Sequence, residues 1–128
     1  MNSKLLTDTL KYSQIQLPES GTEITSGYTS DLLSDVMGNA LENCALITIQ
    51  GHKNTVAVAS LIGIGAIILC NGRTAPEEMI EAAKEHDIAI YTTEDTQFTA
   101  SWKLAKLLEH NGELELELEL DLEMKQNI

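Results

Sequence analysis

Three short runs of the chain are apolar nearly throughout: Cys44–Ile49 (CALITI), Gly65–Cys70 (GAIILC) and Ile88–Thr93 (IAIYTT). Runs this short and this uniform predict strands covered on both faces. Each is followed by a turn and a helical pattern. After the first come Gln50-Gly51-His52-Lys53-Asn54 and a small-residue helix over Asn54–Leu61. After the second come Asn71-Gly72-Arg73 and a helix on PEEMIEAAKEH, with Met79, Ile80 and Ala83 inward and Glu77, Glu78, Glu81, Lys84 and Glu85 in water. Thr74-x-x-Glu77 fits a capping box at its start. After the third, a helix capped by Thr93 or Asp95 runs to Leu108, its apolar face built from Phe98, Trp102, Ala105 and Leu108. Repetition of strand, turn and helix predicts an α/β fold: a mainly parallel sheet with a βαβαβα core.

Both flanks of this unit are less regular. Ser3–Tyr12 predicts a short helix, with Leu5, Leu6 and Leu10 on one side and Ser3 as cap. Gln14–Gly21 is a loop that can hold a short extended piece at Ile15–Leu17, and Glu23–Ser26 a small edge strand. Ser30 or Thr29 caps a helix beginning at Asp31, with Leu32, Leu33, Val36 and Met37 as its apolar face, and Gly38-Asn39 ends it. The tail is unusual: Leu stands at 114, 116, 118, 120 and 122, and an acid at every odd position from 113 to 123. Strict alternation predicts a C-terminal strand with every leucine on one face. Glu and Leu both favour helix as well, and so repetitive a composition also fits a segment without fixed structure. A domain over residues 1–112 and an acidic tail over 113–128 follow.

Composition narrows the function. With 43% apolar residues in 128, the chain can bury a real core, and only 4% are aromatic, so that core must be aliphatic. The formal net charge is −12, of which the tail carries −5, and there is no basic stripe. Nucleic acid and anionic membrane surfaces are therefore not expected partners. Val56–Cys70 is interrupted by Ser60, Gly63 and Gly65 and is too short to span a bilayer. The N-terminus lacks the apolar core of a signal peptide. A cytoplasmic protein is expected. Cys44 and Cys70 stand at strand ends and read as small buried hydrophobes rather than a disulfide or metal pair.

The chemistry-bearing residues gather in the turns. The three turns should share one sheet edge, where open α/β sheets bind ligands. Gly51 and Gly72 permit close backbone approach. The helix starts that follow offer free N–H groups and a positive dipole end to an anion. Arg73 can contact a phosphate or carboxylate in bidentate fashion. Gln50, His52, Asn54, Asn71, Thr92 and Thr93 supply neutral donors and acceptors. Against this stands the plainer reading, in which Gly and Asn make turns, Thr caps helices and Arg73 is solvated. No cofactor or metal is implied. G-x-x-x-x-G-K-[ST], G-x-G-x-x-G and G-x-S-x-G are all missing. His52, His86 and His110 stand in turns or at helix ends, and Asp31 and Asp35 read as a dipole-favouring acid and a solvated one.

Three segments then resemble DRTGG domains in order: Gly27–Gly38 (GYTSDLLSDVMG), Thr48–Ala59 (TIQGHKNTVAVA) and Ala66–Pro76 (AIILCNGRTAP). The resemblance runs from about Ile24 to Leu108. Asn71-Gly72 stands where the name-giving Thr-Gly-Gly turn would lie, and no Asp-Arg-Thr precedes it. The resemblance implies a fold similar to the N-terminal domain of HPr kinase/phosphorylase. It also implies regulation and dimer contacts rather than catalysis; such domains occur beside CBS pairs in regulated pyrophosphatases, within some phosphotransacetylases, and alone.

The expected function is thus a non-catalytic regulatory module that binds a small anion, a nucleotide among the options, or forms a homodimer, or both. The alternative is an interaction scaffold that docks to a metabolic enzyme without any small ligand. It is motivated by the small-residue helix and by the tail's leucine face, which needs its own sheet or a second subunit as partner. A separate enzyme is the least supported class.

Overall fold

The computed structural model describes residues 1–115. The three apolar runs form β3 (Cys44–Thr48), β4 (Ala66–Leu69) and β5 (Ala89–Thr92). Before them come α1 (Leu5–Asp8), β1 (Ser13–Gln16), β2 (Ser26–Thr29) and α2 (Leu33–Asn39); between and after them come α3 (Lys53–Ile62), α4 (Glu77–Glu85) and α5 (Gln97–His110). The five strands lie in the order β1-β5-β4-β3-β2. β2 to β5 are parallel, and β1 joins β5 antiparallel with a bulge between Gln14 and Gln16. The α/β class and the mainly parallel sheet hold. The expected C-terminal strand falls largely outside the described residues.

Side-chain alternation divides the core. Leu46, Ile67, Leu69 and Ile90 pack with Val36 of α2, Val56 and Ala59 of α3, and Met79 and Ala83 of α4. Ala45, Ile47, Ile68 and Tyr91 pack on the other face with Leu6 of α1 and Ala100, Leu104 and Leu108 of α5. Crossovers that share one hand and step in one direction leave their helices on one face. The chain therefore keeps α2, α3 and α4 together and, having begun with α1 on the second face, returns to that face only after β5. This arrangement uses the small residues of α3 internally: Thr55, Val56, Val58 and Ala59 are buried. Among the described residues no helix is long and apolar enough to cross a membrane.

Several local expectations are corrected. The first helix covers only Leu5–Asp8, and Ser3 does not cap it; the Ser3 hydroxyl instead accepts from Thr22 N at 2.8 Å. The edge strand lies at Ser26–Thr29 rather than Glu23–Ser26, because pairing with β3 from Cys44 to Ile47 overrides the local Gly and Ser. The extended piece at Ile15–Leu17 is part of a true strand, Ser13–Gln16, fixed by β5. α2 starts at Leu33, with Leu32 in the cap position and Ser30 bonded to its N–H. Leu32 and Met37 face solvent, not the core. The Thr74–Glu77 capping box does not form; α4 starts after Pro76 with no side-chain cap. The cap of α5 is Thr96, whose hydroxyl accepts from Thr99 N, while Thr93 accepts from Asp95 N. Phe98 and Trp102 lie outward on α5.

Candidate functional site

The site follows from where the chain changes face. The loop after β4 leads to α4 on one face, and the loop after β5 leads to α5 on the other. Neighbouring strands whose connections part in this way make the topological switch at which open α/β sheets hold ligands. Residues 70–73 form a tight turn there: Arg73 N donates to Cys70 O at 3.1 Å, and Asn71 and Gly72 have φ of 59° and 67°. Two left-handed residues in sequence match the Asn-Gly preference of a type I′ turn. A side chain at Gly72 would be strained, and its Cβ would fall 2.6 Å from Glu94 Oε2.

Backbone hydrogen bonds close the base of the switch. Asn71 N donates to Asp95 O at 2.9 Å, Gly72 N to Thr93 O at 3.0 Å and Thr93 N to Leu69 O at 2.9 Å. The open space therefore lies beside the stitched loops, against β1. It is a cleft of about 340 Å³ whose polar lining comes from Ser13, Arg73, Thr74, Thr92, Thr93 and Glu94. Arg73 is exposed and forms no ion pair among the described residues. Thr93 Oγ1 accepts from Asp95 N at 3.1 Å. Ile80 of α4 also lines the cleft, and that helix begins with uncapped N–H groups. Two features oppose an anion: the Glu94 carboxylate in the lining, and Glu77 and Glu78 in the first turn of α4.

The nine residues expected at one edge separate into groups. Gly72, Arg73, Thr92 and Thr93 line the cleft. Gln50, Gly51 and His52 stand in the turn after β3 and Asn54 in the first turn of α3, all outside the cleft lining. His52 is the N-cap of α3, its Nδ1 accepting from Asn54 N at 3.0 Å, so one N–H group of that helix start is already taken. Gln50 O accepts from Thr55 Oγ1 at 2.8 Å. Asn71 commits its N–H to Asp95 and shapes the turn without lining the cleft. The residues missed were Ala75 and Ile80, Ser13 and Ile15 of β1, together with Thr74 and Glu94. The last two adjoin predicted residues and could have been found by extending each turn by one position. Ser13 and Ile15 gave no signal, because only the pairing with β5 brings them there.

The remaining polar groups are engaged structurally. Asp31 accepts from Thr48 Oγ1 at 2.9 Å, Ile49 N at 2.8 Å and Gln97 Nε2 at 2.7 Å, tying β3 to the start of α5. Asp35 accepts from Tyr28 Oη at 2.8 Å, and this bond holds its carboxyl below the usual range. Asp95 accepts from Lys103 and from Tyr12, both at 2.9 Å; the Lys103 bond is the main reason its pKa is lowered. Among the described residues no group of three or more His, Cys, Asp and Glu could hold a metal. His86 caps the end of α4, 3.3 Å from Ser60 Oγ. Cys44 and Cys70 are buried and unpaired, and burial pushes both thiols up to about 11, so they are protonated at neutral pH.

Residues 49–108 match the family described as HPr Serine kinase N terminus. The match runs from the end of β3 through most of α5 and contains the whole cleft except Ser13 and Ile15. No curated protein matches the chain. Among solved structures, the fold is similar to the CBS and DRTGG domains of the regulatory region of Clostridium perfringens pyrophosphatase, crystallised with its activator diadenosine tetraphosphate. The TM-score is 0.64 at 21% identity, over 79% of this chain and 44% of that one. The chain thus spans less than half of that structure. The matched segment, under half of the chain, and the shared parallel fold support the resemblance to DRTGG domains that the motifs at Gly27, Thr48 and Ala66 carry.

Proposed function

We propose that the domain is a non-catalytic regulatory module that binds a small anionic ligand of the nucleotide or phosphorylated-metabolite class. The ligand occupies the cleft between β1 and the turns after β4 and β5. The observation that carries this reading is the convergence, at the switch point, of Arg73 without an ion-pair partner among the described residues and the hydroxyls of Ser13, Thr92 and Thr93. A guanidinium suits a phosphate, and hydroxyls can complete its coordination. The similar pyrophosphatase regulatory region is crystallised with a dinucleotide activator, which supports the ligand class without locating its site on this chain.

Two variants test the charge balance. Arg73→Ala removes a charge-assisted contact and should weaken binding by about 10- to 100-fold, for a loss of about 1.5–3 kcal/mol. Glu94→Gln removes a like charge from the cleft and should tighten binding severalfold, for about 1 kcal/mol of relieved repulsion. Thermal shift followed by titration calorimetry, with ATP, diadenosine tetraphosphate and inorganic pyrophosphate as probes, reads both effects. A wild-type protein that none of these stabilises at millimolar concentration would end this reading.

One observation favours the interaction scaffold as a second reading. Phe98 is 80% exposed and Trp102 is 51% exposed, one turn apart on α5. In a chain with so few aromatics, such a pair fits the centre of an interface with a second copy. Sedimentation should show self-association across the micromolar range that Phe98→Ser with Trp102→Ser abolishes. A wild-type monomer throughout that range would exclude it.

A further inference from the structure

A groove of about 260 Å³ runs along α5 and shares no lining residue with the cleft. One side is Trp102, Lys103, Lys106, Leu107 and His110 of α5; the other is the turn after α1, which contributes Leu10. Leu107 is buried and Leu10 packs against the same core cluster, so the two make an apolar floor. Trp102, the chain's one tryptophan, stands beside them, half exposed.

Asp95 ties the two sides together. Its carboxylate accepts from Tyr12, two residues beyond Leu10, and from Lys103, both at 2.9 Å. Lys11 N donates to Thr7 O and Tyr12 N to Leu6 O, each at 3.1 Å, which fixes the turn that carries Leu10. The walls are therefore in place before anything enters, and binding need not order them first.

The charge of the groove runs against that of the chain. Asp and Glu number 20 and Lys and Arg 8, yet among the described residues the lining holds two lysines, a histidine and no acid. Lys103 is committed to Asp95. Lys106 meets Glu109 at 3.2 Å in an exposed pair one turn apart. Such surface pairs contribute little, so Lys106 can exchange that partner for another carboxylate. The volume narrows the occupant further. Small-molecule sites commonly hold about 300–1,000 Å³; this groove is smaller and suits one or two apolar side chains projecting from a longer segment.

We propose that the groove docks an acidic segment of a partner protein. Leucine or phenylalanine side chains of that segment enter between Trp102, Leu107 and Leu10, and its carboxylates reach Lys106 and the His110 ring. This docking is independent of the anion cleft. It competes for Trp102 with a second copy of the chain, and the test separates the two occupants.

Trp102 supplies the readout, because tryptophan emission arises from the groove alone. The full chain is titrated with the end-blocked peptide EELFEELLEELF, with variants of it carrying other apolar residues at the same positions, with its neutral counterpart QQLFQQLLQQLF, and with decanoate. At physiological ionic strength the Debye length is about 8 Å, so charge outside the groove is largely screened. The acidic peptides should shift the emission to the blue and bind about tenfold more tightly than the neutral one. Lys106→Glu with His110→Glu should weaken the acidic peptides by about tenfold and reverse that preference. Trp102→Ala, read with a fluorescein-labelled peptide, should weaken them by about tenfold or more. All three positions are exposed, so the variants should keep the wild-type melting temperature. The proposal is overturned if no acidic peptide binds at millimolar concentration, or if the neutral peptide binds equally well. It is equally overturned if decanoate alone binds, which would assign the groove to a small amphiphile. Self-association of the wild type through Trp102 that excludes the peptides would assign it to a second copy and overturn it too.

Discussion

Gly65→Ala should destabilise the domain by about 3 kcal/mol or more, the upper end of overpacking effects. Gly65 lies just before β4 and is buried. A Cβ built there falls 2.4 Å from the backbone O of Glu23 and 3.4 Å from its carbonyl carbon. Neither segment can yield cheaply. Gly65 N donates to Cys44 O at 2.9 Å, Thr22 Oγ1 donates to Gly65 O at 2.7 Å, and Ile24 N donates to Met1 O at 2.8 Å. Separation by even half an ångström would break contacts on both sides. Urea denaturation of the wild type and the variant gives the difference; a loss under about 1 kcal/mol would show that the 22–24 segment is free to shift.

Asp31→Ala should cost about 2–4 kcal/mol, because it strands three donors at once. Thr48 Oγ1, Ile49 N and Gln97 Nε2 all lose their acceptor. Thr48 is fully buried, so water cannot replace the carboxylate there without opening the core. Asp31→Asn should lose less, since all three donors reach the one oxygen, Oδ1, and the amide keeps an oxygen that can accept there. Denaturant midpoints of the two variants report the order. Binding in the cleft should be intact in whatever fraction remains folded, because Asp31 serves β3 and α5 rather than the turn at Arg73. Equal losses for the two variants would show that the charge, not the acceptor geometry, carries the stabilisation.

The centre of the fold was legible because β3, β4 and β5 are covered on both faces, which writes an unbroken apolar run into each. The edges were not. β1 is polar, and its register is set by Thr92 and Tyr91, far away in sequence. β2 contains glycine, serine and threonine and becomes a strand only through β3. On α5 two series fit the helical period. Phe98, Trp102, Ala105 and Leu108 make the expected one, and Ala100, Leu104, Leu107 and Leu108 the buried one, with Leu108 common to both. Periodicity cannot choose between them, and the larger side chains misled the choice. The buried series is the one that meets Ala45, Ile47 and Tyr91. In the turns, Asn71-Gly72 declared its geometry directly. His52 looked like a ligand contact and serves instead as a helix cap, since a neutral ring nitrogen can accept from a backbone N–H as a hydroxyl does.

β1 gives the cleft a property that no single turn has. It contributes Ser13 and Ile15 to the lining, yet it is bound to the rest of the sheet through β5 alone. Antiparallel addition of a short polar strand from a distant part of the chain is among the later and weaker contacts a domain makes. Anything lodged against Arg73 and Ser13 together would act as a clasp across that seam, holding the N-terminal arm to the sheet. Occupancy would be felt first in the arm and only then at the turns, so the amides of Gln14–Gln16 form the natural gauge of whether the cleft is full.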